Sequence, residues 1–377
     1  MTTVLLAPDK FKGTLSGGEV AAALAVGIRH RRPQAELIAL PVADGGDGFL
    51  DVFLSAGFER VRLEATDAGG HRCETWYARR GTVAVIELAK VAGLARAHAD
   101  LDVPQDPMRA TSRGVGELVA HALDAGCREL LVGIGGSASS DGGVGLVQAL
   151  GARVLDRSGA EVVAGAYGAA AAARLDLAGL HPGIFRARIT VACDVDNPLT
   201  GPLGAASVYG PQKGVAPDQV ALLDRALRNW AALVAVTVGR DHRLDPGAGA
   251  AGGVGFAAVA LLRASLRPGA QMVVEQLGLN AALQRADLVI TGEGSLDAQT
   301  LRGKAPAVVA AAGRACGVPV IAVAGRCLLD VVTLQSAGFD SVYTLMEEAH
   351  TPRQALDEPA ALLERIGTRV GDWMPHG

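Results

Sequence analysis

The stretch Asp287-Leu-Val-Ile-Thr-Gly-Glu-Gly-Ser-Leu-Asp-Ala-Gln-Thr-Leu-Arg-Gly-Lys304 decides how the chain folds. Its first five residues are mainly apolar, which predicts a buried strand. The polar, glycine-punctuated remainder leads into an alanine-rich segment that predicts a helix. This order places the loop at the carboxyl edge of a sheet, where open α/β sheets bind ligands. The loop therefore supplies four candidate site residues: Glu293, Asp297, Thr300 and Lys304.

The same strand–loop–helix alternation occurs at both ends of the chain. Apolar runs near residues 4, 38, 289, 321 and 343 are each followed by a helical pattern, which predicts one parallel sheet. Between them, segments 72–77 and 82–87 flank a turn and predict an antiparallel hairpin. We therefore predict an α/β protein in which residues 66–284 form a second α/β domain, inserted into a domain made of residues 1–65 plus 285–377. Three small domains in series are the alternative.

Composition limits the classes of function. The 377 residues are 50% hydrophobic and 20% charged, with a formal net charge of −4, so a large core is available and no nucleic-acid partner is expected. The five cysteines are dispersed, without the spacing of a metal site. The chain shows neither a signal-peptide pattern nor an apolar run long enough for a bilayer, which predicts a cytoplasmic protein with no membrane partner. A homo-oligomer is left open.

Three loops of the predicted parallel sheet together carry acidic residues and lysines. Besides the loop after residue 291, they are the loop with Asp9, Lys10 and Lys12 and the loop with Asp44 and Asp47. Parallel strands bring such loops to one edge. Carboxylates suit Mg²⁺ and lysines suit phosphate groups, so we expect a site for a metal and a polyphosphate. The alternative is that these residues form ordinary turns and carry solvated surface charges, without binding a ligand.

Two loops of the inserted segment carry further candidates. Ser137 and Asp141 lie between pairs of glycines, a pattern that lets backbone N–H groups approach an anion. Asp194, Asp196 and Asn197 follow a predicted strand, and Lys213 follows a proline turn. A flexible loop and an Asx-Pro turn are the alternatives.

Signatures of other enzyme classes are incomplete. Gly303-Lys304 lacks the first glycine of a P-loop. Gly253-Val-Gly-Phe-Ala-Ala258 fits a dinucleotide fingerprint, but no strand is predicted before it. A nucleotide-dependent oxidoreductase of a small hydroxy acid is the second hypothesis, and a non-catalytic ligand-binding module is the third.

Motifs along nearly the whole chain resemble the bacterial glycerate kinase family. They occur in the family's order and include Ala7-Pro-Asp-Lys-Phe-Lys-Gly-Thr14, Pro41-Val-Ala-Asp-Gly-Gly-Asp-Gly48, Val132-Gly-Ile-Gly-Gly-Ser-Ala138, Ala192-Cys-Asp-Val-Asp-Asn-Pro-Leu-Thr-Gly201, Gly210-Pro-Gln-Lys-Gly214 and Ile290-Thr-Gly-Glu-Gly294. The resemblance implies a flavodoxin-like domain split by the inserted domain. It also implies ATP-dependent phosphorylation of D-glycerate with Mg²⁺. We favour 2-phosphoglycerate as the product, with 3-phosphoglycerate open.

The sequence departs from the family pattern at three places. Asp47 stands where glutamate is usual, Ser139-Ser140 replace Thr-Asn, and Ser295-Leu296 replace Arg-Ile. The serine at position 295 removes any contact that an arginine there would make with a substrate carboxylate.

Roles can be assigned from the loop positions, on the expectation that the two domains face each other. Asp194, Lys12 and Asp297 are the predicted catalytic residues, with Asp194 as the base. Glu293 and Asp297 are predicted to hold the metal ion. The reversed assignment, with Asp297 as the base and Asp194 at the metal, fits the sequence nearly as well. The predicted substrate- or phosphate-binding residues are Asp9, Lys10, Asp44, Asp47, Ser137, Asp141, Asp196, Asn197, Lys213, Thr300 and Lys304.

Overall fold

The structure, a computed structural model, describes residues 2–46, 48–94 and 106–373. The chain divides into two compact units. The first comprises Met1–Asp44, Asp51–Ala56 and Pro268–Gly377, and the second comprises Gly45–Leu50 and Gly57–Arg267. The division into domains at residues 65 and 285 stays a prediction. Within the described ranges, no helix is both long and apolar enough to cross a membrane.

Strands and helices alternate along most of the chain. The strands are β1 (Thr3–Pro8), β2 (Glu36–Ala39), β3 (Glu59–Thr66), β4 (Arg72–Arg80), β5 (Val83–Glu87), β6 (Glu129–Gly133), β7 (Arg153–Leu155), β8 (Arg174–Asp176), β9 (Arg188–Ala192), β10 (Ser265–Arg267), β11 (Leu288–Leu296), β12 (Val320–Cys327) and β13 (Ser341–Thr344). The helices are α1 (Gly17–Arg31), α2 (Phe49–Ser55), α3 (Ala89–Ala92), α4 (Arg113–Asp124), α5 (Val144–Ala149), α6 (Ala166–Ala171), α7 (Ala205–Tyr209), α8 (Pro217–Val238), α9 (Val254–Leu262), α10 (Gly269–Gln276), α11 (Leu279–Leu283), α12 (Ala305–Ala315), α13 (Val331–Ser336), α14 (Leu345–Glu348), α15 (Pro352–Asp357) and α16 (Pro359–Trp373). Short 3₁₀ helices span Pro182–Phe185, Pro211–Lys213, Ala250–Gly253 and Thr300–Arg302.

The first unit contains a five-stranded sheet in the order β13-β12-β11-β1-β2, and every pair in it is parallel. Numbered within the unit, this is the 2-1-3-4-5 order of flavodoxin-like folds. The predicted single sheet and the predicted fold class are confirmed. Because all five strands run the same way, the loops that follow them lie along one edge.

Both faces of this sheet are covered. Val4 and Leu6 belong to one buried apolar cluster, and Leu5 and Ala7 belong to another. Successive side chains of a strand point to opposite faces, so a continuous apolar run is what a doubly covered strand requires. Helix α1 begins with a capping box, in which the Ser16 side chain accepts from the backbone N–H of Glu19 and the Glu19 carboxylate accepts from the backbone N–H of Ser16.

The second unit contains a six-stranded sheet in the order β10-β9-β6-β5-β4-β3. Strands β10, β9, β6 and β5 are parallel, whereas β4 pairs antiparallel with both β5 and β3. The predicted hairpin is therefore confirmed. Strand β3 has no counterpart in the prediction, because its charged residues and mostly exposed pattern suit a sheet edge but weaken the apolar signal. Strands β7 and β8 form a separate two-stranded antiparallel sheet.

The glycine-rich segment before α9 does not have the context of a dinucleotide-binding turn. Residues Ala250–Gly253 form a 3₁₀ helix rather than a strand, with Ala251 at φ 51° and Gly252 at φ 66°. A dinucleotide fingerprint needs a strand, a tight turn and a helix in succession. The segment therefore gives the oxidoreductase hypothesis no structural support.

Candidate active site

In the first unit, the loop after β11 is fixed by contacts among its own polar residues. The hydroxyl of Thr300 donates to one carboxylate oxygen of Glu293 at 2.6 Å, and the Lys304 ammonium donates to the other at 3.3 Å. The backbone N–H of Asp297 donates to Thr300 at 3.1 Å. Thus the four residues predicted in this loop are brought together, with Glu293 and Thr300 buried and Asp297 and Lys304 half-buried.

The loop after β1 lies against this one. Asp9 is buried, and its backbone N–H donates to the carbonyl of Gly292 at 2.8 Å. A Cβ built on Gly294 would lie 3.3 Å from the backbone nitrogen of Lys12, so the absence of a side chain lets the two loops approach. Lys12 is exposed and Lys10 is half-buried. The structure therefore places the Lys12 backbone at the predicted strand-end edge, beside β11.

Several carboxylates of the first unit share one electrostatic environment. Burial, together with the charges of Asp44 and Glu293, raises the pKa of Asp9 to about 7, although the backbone N–H and the charge of Lys10 oppose the shift. Burial also raises the pKa of Glu293, against the hydrogen bonds from Thr300 and Lys304. Acidic side chains are therefore crowded at this edge, and burial favours their neutral forms. The predicted site residue Asp47 lies outside the described residues.

The chemistry of these side chains suits Mg²⁺ in part. Carboxylate and hydroxyl oxygens are hard donors, and Mg²⁺ in phosphate-transferring sites is held by one or two carboxylates together with substrate phosphates. In the described chain, however, no group of three or more His, Cys, Asp or Glu side chains could hold a metal ion. The residues therefore fit a metal that arrives with a phosphate ligand better than a closed protein site.

In the second unit, the glycine-rich loop after β6 encloses a buried lysine. The Lys213 ammonium donates to the hydroxyl of Ser137 at 2.8 Å and to the carbonyl of Ser139 at 2.7 Å. Burial lowers the pKa of Lys213 to about 7, although the nearby charge of Asp141 opposes the shift. Buried lysines are rarely without a carboxylate in contact. Among the described residues, Lys213 forms no such ion pair, and its ammonium is held by the hydroxyl and carbonyl of the loop.

The carboxylate of Asp141 holds the same loop together from inside. It is fully buried and accepts from the backbone N–H of Ser112 at 2.8 Å, the hydroxyl of Ser112 at 2.9 Å and the backbone N–H groups of Gly143 and Gly145 at 3.0 and 3.1 Å. These donors already satisfy the carboxylate. The geometry favours a positioning role for Asp141.

Two hydroxyls of this loop remain unsatisfied. Ser139 and Ser140 are buried, and their Oγ atoms have no hydrogen-bond partner within the described part of the chain. A buried hydroxyl without a partner costs about 1–3 kcal/mol.

The loop after β9 follows the strand next to β6, at the same edge of the sheet. Asp194 and Asp196 are exposed there. The side chain of Asn197 is engaged within the loop: it accepts from the hydroxyl of Tyr209 at 2.6 Å and donates to the carbonyl of Leu203 at 2.9 Å. Asn197 therefore shapes the loop that carries the two exposed aspartates.

Sequence reasoning missed Glu87 and Ser112. Glu87 ends β5 and is 1% exposed; it accepts from the backbone N–H of Leu50 at 3.1 Å and lies 3.9 Å from the ammonium of Lys90. A single glutamate at the end of an apolar strand gives no motif. Ser112 binds Asp141 across 29 residues of chain, which no local pattern reveals.

These features are those of an α/β protein whose strand-end loops carry carboxylates, lysines and hydroxyls. The chain belongs to the glycerate kinase family, whose sequence model matches residues 4–375. It is 40% identical over 371 residues to Glycerate kinase of Bacillus subtilis, covering 97% of this chain and 96% of that protein. It is 39% identical over 355 residues to Glycerate 2-kinase of Escherichia coli, covering 93% of this chain and 92% of that protein. A crystal structure described as a glycerate kinase 2 from Salmonella typhimurium LT2 superposes with a TM-score of 0.87 at 40% identity, over 99% of this chain and 98% of that one.

Proposed function

We propose that this protein transfers the γ-phosphoryl group of ATP to the 2-hydroxyl of D-glycerate, forming 2-phosphoglycerate and ADP. The family match over residues 4–375 carries the proposal, and the similarity to a glycerate 2-kinase supports the 2-position. 3-Phosphoglycerate is the alternative product. A cytoplasmic location stays a prediction, and a homo-oligomer stays an open alternative.

In the proposed reaction, the glycerate hydroxyl oxygen bonds to the γ-phosphorus while the bond to the β,γ-bridging oxygen breaks. Asp194, which is exposed after β9, is proposed to orient the hydroxyl and accept its proton late in the step. Lys12 and Lys304 are proposed to neutralise phosphate charge. Because lysine is a compact cation on a flexible stem, it suits phosphate oxygens that move during transfer.

The assignment of residues that would hold the metal ion is also a proposal. Glu293 and Asp297 would hold Mg²⁺ that accompanies ATP. When bound, Mg²⁺ neutralises developing negative charge on the phosphate oxygens. The Thr300 hydroxyl, which donates a hydrogen bond to Glu293, orients that carboxylate in the loop.

The remaining predicted residues would bind substrate directly or shape the loops that do. Asp141 and Asn197 have side chains engaged within the protein, so they would act through the loops that they hold. The others would contact glycerate, ATP or its phosphates: Asp9, Lys10, Asp44, Asp47, Ser137, Asp196 and Lys213.

A coupled assay of ADP release with D-glycerate and MgATP tests the reaction. We expect saturable turnover with D-glycerate, and phosphorus NMR of the product should show the signal of the 2-phosphate ester. Turnover of another hydroxy acid, with none of D-glycerate, would refute the substrate. A 3-phosphate ester would refute the position alone.

A further inference from the structure

Arg326 lies at the carboxyl end of β12, directly opposite Ser295 on β11. The two residues are paired in the parallel sheet, and the Nε–H of Arg326 donates to the hydroxyl of Ser295 at 3.1 Å. The pairing continues beyond them, since the backbone N–H of Leu328 donates to the carbonyl of Leu296 at 2.8 Å. The base of the arginine side chain therefore stands on a regular part of the sheet.

The guanidinium has unused donors. Only its Nε has a hydrogen-bond partner within the described ranges, and no carboxylate there lies within ion-pair distance of it. Its two terminal nitrogens carry four more N–H groups in a planar fork, which matches the geometry of a carboxylate or a phosphate. The side chain is exposed, so a ligand can reach that fork.

The surroundings of Arg326 belong to the edge already described in the first unit. A Cβ built on Gly325 would lie 2.5 Å from the carbonyl oxygen of Gly294, and one built on Gly294 would lie 3.3 Å from the backbone nitrogen of Lys12. Glu293 precedes Ser295 by two residues on the same strand. The arginine therefore shares this strand-end edge with the residues proposed to handle phosphate and metal.

The neighbouring position gives a second reason. Ser295 carries no charge, so β11 has no cation of its own at this point of the strand end. Arg326 brings a guanidinium to the same place from the adjacent strand, because paired residues of neighbouring strands lie only about 5 Å apart. The serine hydroxyl then holds the arginine by its Nε and leaves the fork free.

We propose that Arg326 binds an oxyanion of a substrate, either the carboxylate of glycerate or a phosphate of ATP, and that Ser295 orients its guanidinium. This inference rests on the proposed function for the identity of the ligands. It attributes substrate recognition to Ser295 and Arg326 acting as a pair on neighbouring strands. Neither residue type by itself indicates such a role.

Steady-state kinetics of four variants test the assignment. Arg326→Met should raise the KM of one substrate at least about tenfold, the effect of a lost charge-assisted contact. A rise for D-glycerate identifies the carboxylate as the ligand, and a rise for ATP identifies a phosphate. Arg326→Lys should recover only part of the loss because it lacks the fork. The double variant Ser295→Arg/Arg326→Ser should restore KM to within about threefold of the wild type. It again places a guanidinium beside a serine at this position, now on β11 instead of β12.

Arg353→Met is the matched control, because Arg353 is an exposed arginine of α15 that pairs with Asp357. It should leave both KM values within about twofold. Calorimetric titration of D-glycerate and of ATP into each variant measures binding without turnover, so Arg326 can be assessed even if the wild type fails to phosphorylate glycerate. Equal affinities of Arg326→Met and the wild type for both ligands would overturn the inference, as would an exchange variant no better than Arg326→Met.

Discussion

At the scale of single residues, the buried lysine of the second unit makes stability depend on pH. The pKa of Lys213 is lowered from 10.5 to about 7, mainly by burial. Between these two values the unfolded chain binds more protons than the folded chain does, so this group makes the free energy of unfolding rise with pH. The lysine therefore destabilises the fold most below pH 7 and ceases to do so above its unfolded pKa.

We predict that Lys213→Met removes this dependence. In the wild type, the contribution of this lysine between pH 7 and 10 should be at most about 1.4 kcal/mol per pH unit. Urea denaturation of both proteins at several pH values measures the difference in slope. Lys12→Met, which removes an exposed lysine, should keep the wild-type slope. Parallel curves for wild type and Lys213→Met would show that the lysine titrates normally.

Two carboxylates at strand ends are predicted to have separable kinetic roles. Asp297→Asn should raise the Mg²⁺ concentration needed for half-maximal rate, because it removes charge from the proposed metal side. Asp194→Asn should lower kcat at saturating Mg²⁺ and leave that midpoint unchanged, because it removes the proposed base. Magnesium titrations of the rate distinguish the two effects. If the effects are exchanged, the reversed assignment is correct; if both variants behave as wild type, neither role holds.

At the scale of elements, the packing of α1 on α16 depends on one glycine. A Cβ built on Gly27 would lie 1.9 Å from the backbone carbonyl oxygen of Glu364 and 2.7 Å from the backbone nitrogen of Thr368. Because these obstacles are backbone atoms, a side chain cannot be accommodated by a rotamer change. The two helices would have to separate, which disturbs the apolar cluster containing Leu24 and Leu363.

We predict that Gly27→Ala lowers the free energy of unfolding by about 1–3 kcal/mol or more, as overpacking of a core does. Gly18→Ala in the same helix is the control, since a Cβ there meets nothing within 4 Å. That change should be neutral or stabilise by about 0.5–1 kcal/mol through helix propensity. Urea denaturation measures both. A Gly27→Ala protein as stable as the control would show that the helices adjust without cost.

At the scale of the whole molecule, the chain forms two compact units of which one interrupts the other. The large apolar cluster of the second unit runs from Ala65 to Ala264 and includes the buried Trp230 and Phe256. The first unit has its own apolar clusters on the two faces of its sheet. A unit with a separate core has the basis for independent folding.

We propose that the two units are separate folding domains and predict that residues 45–267, expressed alone, fold. Circular dichroism should show native-like secondary structure and a cooperative thermal transition, because the core and the six-stranded sheet lie within this segment. The segment keeps Leu50, whose N–H binds the buried Glu87. A fragment without a cooperative transition would show that the second unit depends on the rest of the chain.

The sequence by itself determined the alternation of strands and helices and the loops that carry polar groups. Continuous apolar runs and helical repeats are local signals, so five parallel strands and a hairpin followed from them. The charged edge strand β3 was missed because its local pattern is weakly apolar. The family resemblance came from motifs, which are also local stretches of sequence.

Only the tertiary structure decided which of these polar groups meet. Lys213 reaches Ser137 across 76 residues of chain, and Ser112 reaches Asp141 across 29. Arg326 meets Ser295 because β11 and β12 pair in one register. Such contacts depend on strand order, register and burial, which are set by packing between distant segments. For the same physical reason, the pKa of Lys213 and the unsatisfied hydroxyls of Ser139 and Ser140 follow from the folded environment and not from the residue types.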